Sequence, residues 1–228
     1  MNISYLTLDT CAQATGVVVV IDVLRAFSTS AYAFAAGAQS IILLSTVEEA
    51  LALRDRMPGA LIMGEVYGLP VEGFDFNNSP TALVDQDLAE KVMIQRTSAG
   101  TQGVIRSRNA GVLLAGSFCC ANATVHYIQR LKPDKVTFVN TGIRPGVRGD
   151  EDAACAEYMA ALLRGEDPNP GLYLQRVRLS QDGQLFADPA RPEFPASDLD
   201  YCTQVDRFDF AMLVKRENGL NRLEPVWG

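Results

Sequence analysis

The chain has 228 residues, 48% of them hydrophobic, which suffices for one substantial core and argues against two domains of ordinary size. A formal net charge of −7 excludes a general nucleic-acid binder, because such proteins offer a basic face to the phosphate backbone. An acidic protein that handles an anion must instead concentrate positive charge locally, through a few arginines, helix N-termini or a metal ion.

In chain order, β-rich runs at 17–21, 41–44, 61–63, 92–95, 112–115 and 136–140 alternate with helix-compatible stretches at 26–36, 47–57, 99–107, 121–131 and 150–164. This alternation, with strands as continuously apolar as VVVVI, predicts a three-layer α/β/α sandwich around a mostly parallel or mixed sheet of about six strands. The stretch 166–195, with PNPG and DPARPEFP, reads as an irregular Pro-rich excursion from a single domain spanning 1–228. A late strand at 210–214, a turn at Glu217-Asn218-Gly219 and a closing segment at 223–227 complete the chain. The late strand and the excursion offer an interface, so a homodimer is the expected assembly. The longest apolar run, 16–23, contains Asp22, and the start MNISYLTLDT lacks the basic and apolar regions of a signal peptide. No membrane span and a cytoplasmic location are expected. Five cysteines without CxxC spacing and a single histidine, His126, argue against a His-rich zinc site. Adjacent Cys119 and Cys120 read as small buried apolar residues, and His126 as a structural helix residue.

Ligands of open α/β sheets bind beyond the carboxyl ends of the strands, so the residues that close each apolar run are informative. Here they are polar: Asp22 and Arg25, Glu65, Arg96-Thr97-Ser98, Ser117, and Asn140-Thr141. Ordinary wet loops would explain any one of them, whereas the set suits one shared crevice. RTSAGTQG follows a strand and opens a helix, so the amides from Ser98 through Gly100 to Thr101 could form an anion nest beside Arg96. The alternative is that Thr97 or Ser98 simply caps the helix. GSFCCANAT repeats the arrangement with Ser117 and Asn122. Asp150, Glu151 and Asp152 fall in a first helical turn, where carboxylates meet the helix dipole favourably without any ligand. Joined by Asp22 or Glu65, they would equally make a hard oxygen site for Mg²⁺ beside a phosphate.

Several phosphate chemistries are absent. GLPVEGF has the glycine spacing of a P-loop but places Phe74 where lysine is needed, and no GxGxxG follows the first strand. The second aspartate expected two residues after an aspartyl nucleophile is replaced by Leu24, and no cysteine has an arginine six positions later. Together, IDVLRAFSTS, GE with GFDFNNSP, RTSAGTQG, GSFCCANAT and GDEDAACAEY resemble the 2-phosphosulfolactate phosphatase family over 17–158. The resemblance implies an α/β, Mg²⁺-dependent acid phosphatase that hydrolyses 2-phospho-3-sulfolactate to 3-sulfolactate and phosphate, a step toward coenzyme M. Its motifs map onto Asp22, Arg25 and Arg96 as catalytic groups and onto Asn78, Ser79, Thr97, Ser98, Gly100, Thr101, Ser117 and Asn122 as substrate contacts. Asp22, Glu65, Glu151 and Asp152 are the implied metal ligands, and a small anionic phosphoester is the implied partner. The nucleophile stays open between water and Asp22. A phosphatase of another small phosphorylated hydroxy acid, or a non-catalytic protein that binds anionic metabolites, is the alternative reading.

Overall fold

The computed structural model describes residues 1–228. The first half contains β1 (Asn2–Thr7), β2 (Gly16–Ile21), α1 (Ala26–Ala35), β3 (Ser40–Leu44), α2 (Val47–Arg56), β4 (Leu61–Gly64), β5 (Phe76–Asn77), β6 (Val92–Arg96), α3 (Gly100–Arg106) and β7 (Ala110–Gly116). Then follow α4 (Ala121–Leu131), β8 (Lys135–Asn140), β9 (Ile143–Arg144), β10 (Val147–Arg148) and α5 (Asp150–Leu163). The chain closes with α6 (Pro170–Leu179), α7 (Gln181–Gln184), α8 (Ala196–Cys202), β11 (Phe210–Glu217) and β12 (Leu220–Trp227).

Ten strands form one sheet in the order β1-β8-β2-β7-β11-β12-β3-β6-β4-β5, and β9 pairs with β10 in a separate small hairpin. Strands β1, β8, β2 and β7 run parallel, as do β3, β6, β4 and β5. The hairpin β11–β12 lies between the two groups and pairs antiparallel with each. The class is the expected one, but the sheet exceeds the expected six strands. Strand β1 escapes sequence detection because its residues alternate without an apolar run and none is fully buried. Strand β5 is only two residues long.

The apolar run of β2 is continuous because both faces of the sheet are covered. Val17, Val19 and Ile21 pack with residues of α4 and α5, whereas Val18 and Val20 pack with residues of α1 and α3. Helix α1 is buried from Ala26 to Phe34, so its hydroxyls need internal partners. Ser28 Oγ donates to the Val23 carbonyl at 2.8 Å, and Ser30 Oγ donates to Gln95 Oε1 at 2.8 Å. Helix α2 covers the second group of strands, setting Ala50 and Leu53 against Ile42, Ile62 and Ile94. A capping box formed by Thr46 and Glu49 starts it.

The stretch 166–195 is not irregular throughout. Asn169 caps α6 by accepting a hydrogen bond from the Gly171 amide, with Pro170 in the first turn, where its missing N–H costs no hydrogen bond. The prolines that suggested an excursion therefore include a helix start. No helix is long and apolar enough to cross a membrane, and all five cysteines are free and buried.

Because β11–β12 is the only hydrogen-bonded link between the parallel groups, weakening it should loosen both together. Leu223 on β12 is fully buried. Leu223→Ala should lower unfolding free energy by about 2–5 kcal/mol in urea titration, with fluorescence and circular dichroism reporting one shared transition.

Candidate active site

A cavity of about 370 Å³ opens beyond the end of β2, walled by Asp22, Leu24 and Arg25 on one side and by Glu65, Tyr67 and Ser98 on another. Thr141, Ile143 and Arg144 follow β8, and Asp182, Leu185, Phe186 and Phe194 close the remaining side. The crevice thus collects strand ends from both parallel groups.

Two carboxylates brace these strand ends. Asp152, in the first turn of α5, accepts hydrogen bonds from the Val23 amide at 2.8 Å, the Gly142 amide at 2.8 Å, and the Thr141 amide and hydroxyl at 3.1 and 3.2 Å. Glu65, just after β4, accepts from the Ser98 and Gly68 amides, both at 2.5 Å, and from the Ser98 hydroxyl at 3.1 Å. Its approach depends on Gly64 at φ +146°, where a Cβ would run into the Arg96 carbonyl. Of the amides predicted to form a nest in RTSAGTQG, that of Ser98 donates to the Glu65 carboxylate, whereas that of Thr101 donates to the Thr97 hydroxyl.

Asp22 and Glu151 are held more loosely. Asp22 Oδ1 accepts from the Ala26 amide at 2.9 Å, and Oδ2 lies 2.7 Å from where a Cβ on Gly100 would stand. Glu151, 2% exposed, has an Oε2 without any hydrogen-bond partner. Burial, followed by repulsion from Glu65, raises Asp22 from 3.8 to about 6. Burial, followed by repulsion from Asp182 and Asp22, raises Glu151 from 4.5 to about 7. Asp152 is also pushed upward, by burial and then by Glu151 and Asp22. No lysine or arginine forms an ion pair with any of the three.

The structure departs from the sequence reading at several positions. Arg25 lines the cavity but is locked: its guanidinium donates to Asp198 at 2.7 Å and to the Glu193 carbonyl at 2.9 Å, with the Phe194 and Phe186 rings 4.9 and 5.5 Å away. Arg96 does not line the cavity, because it donates to the Glu65 carbonyl at 2.7 Å and to the Ser45 carbonyl at 3.2 Å. Thr97 and Thr101 are buried and bond each other. Ser79 donates to Asp198. Ser117 is buried elsewhere, and Asn122 is taken up by Asp206. Asn78 does line the cavity, 4% exposed, with an unpartnered Oδ1. No three acidic, cysteine or histidine side chains form a ready metal cage, and of the four acids read as metal ligands Asp22 and Glu65 line the cavity whereas Glu151 and Asp152 do not. Sequence reasoning missed Tyr67, Arg144, Asp182, Phe186 and Phe194. These sit in turns or in elements of two to four residues, too short for a periodic signal, although TGIRPGVRG directly follows a polar strand end.

A sheet-end cavity lined by acids, two arginines and an unsatisfied amide defines an α/β enzyme for small polar substrates. Comparison with known proteins is specific about which. Residues 5–217 match the family model described as 2-phosphosulpholactate phosphatase. A Bacillus subtilis protein named probable 2-phosphosulfolactate phosphatase is 34% identical over 209 residues, covering 91% of each chain. Proteins of the same name from Carboxydothermus hydrogenoformans and Deinococcus radiodurans are 33% and 32% identical over 210 and 207 residues, covering 84% and 83% of this chain and 83% of each relative. The chain belongs to the 2-phosphosulfolactate phosphatase family and is a phosphoric monoester hydrolase.

Raised carboxyls have a defined effect on stability. A group whose folded pKa exceeds its unfolded value contributes stability below the unfolded pKa and loses it as pH rises through the folded one. For Asp22 and Glu151 that window runs from about 4 to about 7. In chelator, thermal melts should therefore show lower stability at pH 8 than at pH 5, by roughly 2–3 kcal/mol. Asp22→Asn should flatten the dependence.

Proposed function

We propose that the chain hydrolyses 2-phospho-3-sulfolactate to 3-sulfolactate and phosphate with Mg²⁺, as a step toward coenzyme M. The observation that carries this reading is the charge at the cavity. Asp22 lines it, the buried Glu151 and Asp152 repel Asp22 from outside the lining, none of the three forms an ion pair, and both arginines that line the cavity are already held by carboxylates. A phosphate dianion approaches such a group only if the acids are protonated or share a cation.

The donor chemistry fits Mg²⁺, which takes oxygen ligands and is commonly held by one or two carboxylates together with water and substrate phosphate. Asp22 Oδ2 and Glu151 Oε2 are the oxygens left for it, since Asp152 and Glu65 are engaged by backbone donors. When bound there, the ion would neutralise charge on a phosphoryl oxygen. Asp22 is fixed through Oδ1 by the Ala26 amide, so its orientation is set before substrate arrives. We assign it as the carboxylate that faces the phosphoryl group, acting either as nucleophile or on water. Asn78 Oδ1, buried and unpartnered, would accept a hydrogen bond from the hydroxyl formed on the released hydroxy acid. The apolar wall of Leu24, Leu185 and Phe186 favours, as a second reading, a phosphorylated hydroxy acid with an apolar substituent.

Phosphate release from 2-phosphosulfolactate should require Mg²⁺ and stop in chelator. Asp22→Asn should lower kcat by about a hundredfold or more, and Glu151→Gln should raise the Mg²⁺ concentration needed for half-maximal rate. Full Mg²⁺-dependent turnover by both variants would falsify the assignment, and acid quenching for a phosphoaspartate decides the role of Asp22.

A further inference from the structure

The two arginines at the cavity are neutralised in very different ways. Arg25 is 2% and its partner Asp198 0% exposed at the side chain. Asp198 also accepts from the Ser79 hydroxyl at 2.7 Å and the Thr81 amide at 2.9 Å, so it is built into the fold. Arg144 and Asp182 instead meet at the surface, with side chains 50% and 14% exposed. Their contact is bidentate, with Nη2 to Oδ1 at 2.5 Å and Nη1 to Oδ2 at 2.8 Å. Arg144 is the only side chain that donates to Asp182. Arg144 rides on the β9–β10 hairpin, outside the main sheet, and Gly146 at the hairpin turn has no atom packed where a side chain would stand.

From this asymmetry we infer that Arg144 is the specificity-determining residue for a second anionic group on the substrate, and that Asp182 occupies its guanidinium until that group displaces it. The inference rests on the reading above and names the recognition element for a substrate anion other than the phosphate. A carboxylate presents the same two planar oxygens that Asp182 now supplies, and a sulfonate can offer two of its three to the same fork, so exchange preserves the charge-assisted bonds of Arg144. Asp182, once released, returns to water at a site it already partly reaches. Arg25 cannot make this exchange, because freeing it would leave Asp198 as a fully buried charge without its cation. The bridge also discriminates, because a ligand with one anion gains nothing from opening it.

Calorimetric titration of the full chain with 3-sulfolactate, and separately with inorganic phosphate, tests the exchange without turnover. Asp182→Asn removes the competitor and should tighten 3-sulfolactate by about tenfold. Inorganic phosphate should change only by the few-fold that loss of a nearby negative charge gives any anion. Arg144→Gln should weaken 3-sulfolactate by about tenfold or more, and in that background Asp182→Asn should bring no gain beyond that seen with phosphate. The inference is overturned if Asp182→Asn leaves 3-sulfolactate affinity unchanged or weakens it, if the gain survives in Arg144→Gln, or if both ligands shift equally. Wild-type turnover of 2-phosphosulfolactate with KM unmoved in the variants overturns the exchange alone. Tightened 3-sulfolactate in Asp182→Asn, without phosphate release from 2-phosphosulfolactate by the wild type, overturns the substrate reading alone.

Discussion

The Asp152 carboxylate ties together the segments on which the cavity depends. It lies at the start of α5, yet its oxygens receive the Val23 amide beyond β2 and the Thr141 and Gly142 amides beyond β8. Those backbone groups are ones that the sheet can no longer satisfy once the strands end, and each would cost about 1–3 kcal/mol if buried without a partner. One side chain therefore fixes the spacing of two parallel strands, the direction of the chain after β2, and the position of the helix that brings in Glu151. Everything on that wall of the cavity inherits its geometry from this set of bonds.

Glu65 performs the corresponding task on the other wall. It gathers the Ser98 amide after β6 and the Gly68 amide of its own turn, and so places Tyr67 and Ser98 at the cavity. Backbone nests that in other folds wait for a ligand are here closed by resident carboxylates. The consequence is a division among four acids that look alike in the sequence. Two, Asp152 and Glu65, have both oxygens taken by backbone donors, and two, Asp22 and Glu151, do not. Burial and repulsion from neighbouring carboxylates push Asp22 to about 6 and Glu151 to about 7, and push Asp152 upward as well despite its backbone donors.

That division was not legible in the sequence, whereas the places were. The apolar runs located six strands because strands buried on both faces leave no alternation to confuse with anything else, and the residues closing those runs included Asp22, Glu65 and Thr141. What the sequence could not convey was partnership. Arg96 and Glu65 each end a strand, and on paper both suit a ligand. In the fold, the Glu65 carbonyl takes the Arg96 guanidinium, while the Glu65 carboxylate takes the neighbouring Ser98 amide. Arg25 is likewise taken, by Asp198 from a stretch with no periodic pattern. The bridge between Arg144 and Asp182 joins the β9–β10 hairpin to the short helix α7, 38 residues apart, and nothing local to either announces the other.

These pairings also explain how an acidic chain can serve a polyanionic substrate. If the cavity offered bare arginines, any phosphate or sulfate in solution would compete for them. In the resting protein each cavity arginine faces a carboxylate of its own, and the uncompensated charge in the interior is negative. A single small anion meets net repulsion there, and only a ligand that arrives with a cation at one end and can replace Asp182 at the other recovers favourable contacts at both. The two conditions together select for a molecule that carries more than one anionic group. Selectivity on this view comes less from added attraction than from the resting charge arrangement, which leaves a partial ligand without sufficient gain to disturb it.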